Sequence, residues 1–297
     1  LGLAEERQQG VWARDSQMEG KLRQLGQRAD KFKMMQRALQ EAGIERGVAA
    51  MALFERGPRK TPLVGKVVGV GLVDEISDHT WVVIDAMDGR AHYAELGRLN
   101  PADAPARGTI VALAGDSLDG KPSPVPKLQV ISPVALEKQT TYDGPTWLDA
   151  AILSRWQPEP GTPGFAGQMR AALATRRDWL IDRRVATTGP GDELTPAPEM
   201  MRTLRQAETD RIAQQVSRDL NAAYVPSEPG ARITGVYERA IATPTGKLAV
   251  IRREDTFTLA PWRPALEPFR GRAVIGTVGP NRVMWSLDRG RGLPGRT

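Results

Sequence analysis

Met18, Leu22 and Leu25 recur at helical spacing behind Ser16 and Glu19, whose separation suits a capping box, so the pattern predicts a helix from about Asp15 to Arg28. Asp30 can start a second helix, in which Phe32, Met35 and Leu39 share one face, Lys31 and Lys33 lie off it, and Gly43 supplies the stop. Ahead of both, LGLAEERQQGVW reads as a helix end, a polar turn and a strand beginning near Trp12. That order suits the wing of a winged helix whose first helices lie upstream.

Past GPRKTP (57–62), a linker by composition, the period changes to two. VGKVVGVGLV, the two alternating runs of TWVVIDAMDGRAHYAEL, TIVALAG and LQVIS make five short strands. Such a set predicts a small β-barrel, either of the five-stranded nucleic-acid-binding type or SH3-like. Gly65, Gly69 and Gly71 suit strand bends or bulges. Asp88 and Gly89 call for a tight hairpin, in which Met87 faces Arg90 and Asp85 faces His92.

After Pro133 helical spacing returns. Thr146 and Asp149 resemble a capping pair for a helix carrying Trp147, Leu148, Ile152 and Leu153, and two more helices are predicted over Phe165 to Arg184 and Pro198 to Asn221. From Arg232 the chain is again β in pattern: ITGVYERAIA, a turn at Thr245 and Gly246, KLAVIRRE, TFTLAP, RAVIGTV and RVMWSL. The fold class is therefore α+β and multidomain. It comprises N-terminal helices over 1–60 as a winged-helix remnant, a small β-barrel over 61–138, a helical segment over 139–229, and a C-terminal antiparallel β unit with a basic tail over 230–297.

Composition narrows the chemistry. The 297 residues are 40% hydrophobic and 26% charged, which is globular, and they include no cysteine. Disulfides, thiolate catalysis and cysteine-held metals are excluded, in keeping with a reducing compartment. No apolar run approaches the roughly 18 residues that span a bilayer, and no secretory signal precedes the fold, so a cytoplasmic bacterial protein without membrane insertion is expected. Leu1 stands where a start methionine would, and LGLAEE reads as the middle of a structured segment, so a piece of a longer chain is expected.

The net charge of +6 is unevenly spread. Lys+Arg against Asp+Glu run 12 to 8 over residues 1–62, 7 to 10 over 63–140, 10 to 12 over 141–229, and 12 to 5 over 230–297. Basic ends favour a polyanion such as nucleic acid, although solubility alone accommodates such an excess. The candidate DNA contacts are Lys31, Lys33 and Arg37 in the helical region, Arg252, Arg253, Arg270 and Arg272 among the C-terminal strands, and Arg289 and Arg291 in the tail DRGRGLPGRT. Tyr237, Phe257, Trp262 and Trp285 lie among those arginines and could stack on bases; as core residues they would serve packing instead.

Catalytic patterns are missing. The two histidines, His79 and His92, fall several pairs apart on the hairpin ladder and form no metal pair, and His92 reads as a cross-strand partner of Asp85 or an exposed position. HExxH, GxSxG, SxxK and calcium-loop motifs do not occur. Neither an enzyme nor a cofactor is expected.

The order of several segments resembles the large C-terminal region that follows the nicking domain in bacterial conjugative relaxases related to the T-DNA border endonuclease. The segments are LGLAEE with the following tryptophan, LGQRADKFKMMQRAL, VGKVVGVGLVDE, VVIDAMDGRAHY, GPTWLDAAIL, GVYERAI, LAPWRPALE and WSLDRGRGL. Each is weak alone; their collinearity is what the resemblance rests on. In that family a separate N-terminal domain carries a tyrosine nucleophile and a metal-binding histidine cluster, and this chain has neither the cluster nor that domain. Gln36 stands where the family often has histidine, so no role for that histidine carries over. The resemblance implies a non-catalytic accessory region that contacts DNA at a plasmid transfer origin, meets relaxosome proteins, and presents its tail to the coupling protein of a type IV secretion system. The alternative is a protein-interaction scaffold that binds no DNA, and a hydrolase whose site forms only on folding is the third reading.

Overall fold

The computed structural model describes residues 4–8, 11–14, 18–55, 61–73, 78–99, 104–115, 125–228, 230–279 and 283–286. Ser16, most of the 57–62 linker, Arg282 and the tail with Arg289 and Arg291 lie outside the described residues. The architecture is α+β, with four sheets among the described residues. The chain forms two compact units, Leu1–Gln129 with Glu159–Gly167, and Val130–Pro158 with Gln168–Thr297. The unit boundaries cut the second and third sequence segments, at Gln129 and around Glu159–Gly167.

In the first unit β1 (Ala4–Gln8) pairs antiparallel with β2 (Val11–Arg14), so the AEE of LGLAEE is strand and not a helix end. The two helices expected next are one, α1 (Met18–Glu41). Gly26 sits mid-helix with open space around it, and an interior glycine costs only about 1 kcal/mol, too little to stop a helix whose later turns are packed. Those turns bury Met35, Ala38 and Leu39.

A six-stranded sheet follows. Its strands are β3 (Met51–Leu53), β4 (Leu63–Leu72), β5 (His79–Ala86), β6 (Ala91–Arg98), β7 (Ile110–Ala114) and β8 (Lys127–Ser132), in the order β3-β6-β5-β4-β7-β8. One core contains Leu63, Val67, Val82, Ile84, Ala94, Leu96, Val111 and Leu113, all from the sheet itself. Strand residues can be fully buried against one another without a covering helix only if the sheet curls around them. The expected barrel is such a curled sheet, with β3 and β8 at its hydrogen-bonded edges. The opposite face packs Val68, Val83, Ala91 and Tyr93 on the buried turns of α1. Gly69, at a bulge in β4, permits this: a Cβ there would lie 2.6 Å from that of Ala38.

The β5–β6 hairpin differs from expectation by one residue. Asp85 pairs with Ala91, and Ile84 with His92, around a three-residue loop, Met87 to Gly89. Gly89 takes φ 78° and the Arg90 amide donates to Asp88 Oδ1, the arrangement of a turn closed by a left-handed glycine. A single-residue shift exchanges faces, so Asp85 and His92 point to opposite sides.

The second unit holds α2 (Leu136–Gln139), α3 (Trp147–Leu153), most of α4 (Phe165–Asp182), the small hairpin β9 (Ala186–Thr188) and β10 (Leu194–Pro196), and α5 (Met200–Leu220). Its main sheet comprises β11 (Ala223–Tyr224), β12 (Arg232–Thr243), β13 (Gly246–Arg253), β14 (Thr256–Pro261), β15 (Ala273–Val278) and β16 (Val283–Ser286), ordered β11-β14-β13-β12-β15-β16. Thr243 pairs with Gly246, which centres the β12–β13 turn on Pro244 and Thr245, one residue before the expected position. Ile212, Ala213 and Val216 of α5 pack against Val250, Phe257 and Leu259 of the sheet, which joins the helical segment and the C-terminal strands in one unit.

Candidate nucleic-acid interface

The three candidate cations of α1 are neighbours of carboxylates. Lys31 Nζ lies 2.7 Å from Glu95 and 5.7 Å from the Tyr93 ring centroid, Lys33 lies 3.5 Å from Asp30, and Arg37 Nε donates to Glu41 at 3.0 Å. Arg107 also bonds Glu41, at 2.6 Å, and the hydrogen bonds from Arg107 and Arg37 hold that carboxyl below its ordinary range. Phosphate would have to displace these partners.

The arginines of the second unit are placed differently. Val236 of β12 pairs with Arg252 on one side and with Ala273 on the other, and Tyr237 N donates to Arg272 O while Gly271 N donates to Tyr237 O. This register brings Arg252, Arg253, Arg270 and Arg272 to one end of the main sheet. Arg253, Arg270 and Arg272 are exposed and Arg252 is half-buried. Arg252 Nε donates to the Glu254 carbonyl and Arg270 Nε to the Glu238 carbonyl, both at 3.2 Å, and none of the four makes an ion pair with a described carboxylate. Glu254 and Asp255 form the adjoining turn, so acids border the cluster without binding it.

The rings among these strands are committed to the core. Phe257 is buried, and Trp262 and Trp285 are packed against the cluster around Tyr237. Trp262 Nε1 donates to Tyr237 Oη at 2.9 Å, and that hydroxyl donates to Glu267 at 3.2 Å. Burial first, then the Glu267 charge, pushes the Tyr237 hydroxyl up to about 12. Bases therefore find no open face on Tyr237 or Phe257.

His92 is neither exposed nor bonded to Asp85. It is buried, with Nε2 2.8 Å from Asp88 Oδ2, and Asp85 instead accepts from Arg46 at 2.8 Å. Burial raises the Asp88 carboxyl, but the hydrogen bond and charge of His92 outweigh it and hold the group below its ordinary range. Gly164, at φ 71°, makes room for Arg46, because a Cβ there would collide with the guanidinium. Exposed His79 pairs with Arg98, six positions from His92 along the ladder's second strand. Among the described residues no three His, Asp or Glu side chains gather as a metal site would require, and no helix is long and apolar enough to cross a membrane.

Sequence reading did not foresee the buried Arg176. Its Nε and Nη2 donate to Asp149 at 2.8 and 3.0 Å, Nη2 also to the Gly144 carbonyl at 2.7 Å, and Nη1 to the carbonyls of Tyr142 and Gln139 at 2.7 and 3.5 Å. All five donors are used. The signal lay in GPTWLDAAIL: Asp149 closes the capping box with Thr146, as expected, and Gly144 lacks the Cβ that would strike Glu208. Tyr142 in turn donates to Glu208 at 2.8 Å, and burial holds the Glu208 carboxyl above its ordinary range against the opposing pull of Tyr142 and Arg211. This knot is structural, and it fixes the start of α3 on α4.

The chain belongs to the family described as "Protein of unknown function (DUF3363)", which matches residues 1–125 and 119–294. No curated protein and no solved structure matches it.

Proposed function

We propose that this chain is a non-catalytic accessory region of a conjugative relaxase that contacts nucleic acid through the arginine end of its second unit. The carrying observation is that Arg252, Arg253, Arg270 and Arg272 converge on one sheet end without an ion pair to any described carboxylate. Residues 230–297 hold 12 Lys+Arg against 5 Asp+Glu, so the charge of this segment also favours a phosphate backbone. Arginine meets phosphate through parallel N–H donors, and such contacts position a strand without reading its sequence. Relaxosome proteins and the coupling protein of a type IV secretion system are the partners this reading supplies, with the basic tail presented to the latter. The nicking chemistry would belong to another part of the relaxase.

Fluorescence anisotropy of the chain with single-stranded and duplex oligonucleotides across a salt series tests this. Binding should weaken linearly in log-log form, and Arg→Gln at all four positions should flatten the duplex slope by about 3 to 4, since each phosphate contact contributes about 0.9. No binding at low salt would leave the scaffold reading, which the carboxylate-paired cations of α1 favour for the first unit.

A further inference from the structure

α3 ends, as α4 does at Arg184, in a closure without glycine. Arg155 N donates to the Ile152 carbonyl and Trp156 N to the Ala151 carbonyl, both at 3.0 Å, which is the paired closure of a Schellman motif. The left-handed position of that motif normally takes glycine. Here it is Arg155, at φ 54°, a conformation that costs a side chain energy and that clusters at functional sites. The consequence is that Arg155 and the next residue, Trp156, are both directed at one pocket of about 410 Å³, within the size range of small-ligand sites.

The opposite wall is one face of α4. Arg170, Leu173 and Arg177 recur at helical spacing along it, and Ile152 and Leu194 supply apolar floor. Trp156 is 42% exposed, unlike the packed rings of the main sheet. Glu193, on the rim, meets Arg155 at 3.3 Å in an ion pair whose side chains are 82% and 51% exposed, and exposed pairs of this kind open at little cost.

The geometry points to a nucleotide site: a base stacked on Trp156, its phosphate held by Arg155 with Arg170 and Arg177, and Glu193 accepting from an amino group on the base edge. An exposed indole bordered by three guanidiniums, over apolar floor, matches a ligand with one flat face and one anionic end. A free nucleoside monophosphate and a nucleotide within a single strand present this same chemistry. The site does not depend on the arginine end of the main sheet.

The test uses the whole 297-residue chain with two probes, 5′-AMP followed by tryptophan quenching and a labelled single strand followed by anisotropy. Trp156→Leu should weaken binding of whichever probe is the ligand by roughly tenfold. Arg155→Gly should weaken it severalfold while leaving the thermal midpoint unchanged or higher, because glycine relieves the left-handed position. Sensitivity with AMP identifies a free nucleotide as the source, and sensitivity with the strand alone identifies a nucleic acid. Binding of neither probe, or binding indifferent to both variants, overturns the site. Strand binding that survives Trp156→Leu but is lost on replacing Arg252, Arg253, Arg270 and Arg272 overturns the pocket and leaves the sheet-end interface standing; the reverse pattern does the opposite.

Discussion

The candidate cations of α1 and those at the end of the main sheet are placed differently. Along α1 they sit beside acids of their own unit, with Lys31 on Glu95, Lys33 on Asp30, and Arg37 sharing Glu41 with Arg107. In the second unit Arg176 is wholly internal, while the four arginines at the end of the main sheet meet no described carboxylate, and Arg252 and Arg270 donate to the Glu254 and Glu238 carbonyls. Equal charge in the sequence therefore means different things: a cation next to a carboxylate is already half-neutralised, a buried one is part of the core, and only an exposed one without an anion retains its attraction for phosphate.

The largest expected effect tests the internal arginine. Arg176→Met would leave Asp149 buried without its counter-charge and strand the carbonyls of Tyr142 and Gly144, and a loss of about 3–5 kcal/mol is expected in urea unfolding followed by tryptophan fluorescence. A loss below about 1 kcal/mol would show that the knot is not what fixes α3 on α4. Next comes the contrast between the units on DNA. Replacing Lys31, Lys33 and Arg37 together by Gln should change the salt slope by less than about 1, against the slope change of about 3 to 4 expected for the sheet-end arginines. Equal changes would erase the distinction between paired and unpaired cations.

The smallest effect concerns pH. The folded state holds the Glu208 proton more tightly than the unfolded chain does, so the carboxyl contributes stability that is complete below its ordinary value of 4.5 and is lost as pH rises through its raised folded value. Glu208→Gln cannot ionise. Its thermal midpoint should match that of the unsubstituted chain in acid and exceed it by roughly 2–4 °C at neutral pH. A gap that stays constant across pH would show that the Glu208 charge is not what costs stability there.

Much of this could be read from the chain because it is local. The α+β class, α4 and α5, five of the strands around the first-unit core, the main-sheet strands β12 to β16 and the Thr146–Asp149 box all follow from residues a few positions apart, whose spacing sets which atoms can meet. A local rule also misled where a weak signal stood against packing: Asp30, as a possible helix start, suggested a break after Arg28, but the burial of Met35 and Leu39 carries α1 through it.

What required the tertiary structure is the set of partners. Asp149 meets Arg176 from 27 residues away, Lys31 of α1 meets Glu95 of β6, and a one-residue loop difference at Gly89 gives His92 to Asp88 and Asp85 to Arg46. The pocket under Trp156 likewise joins the end of α3, one face of α4 and the start of β10, segments whose separation in sequence says nothing of their distance in space. The sequence determined which residues are helical, extended, apolar or charged, since those follow from neighbours along the backbone. Which charges are neutralised and which face outward was decided only when distant segments packed, because a charge takes its effect from whatever lies within a few ångströms of it.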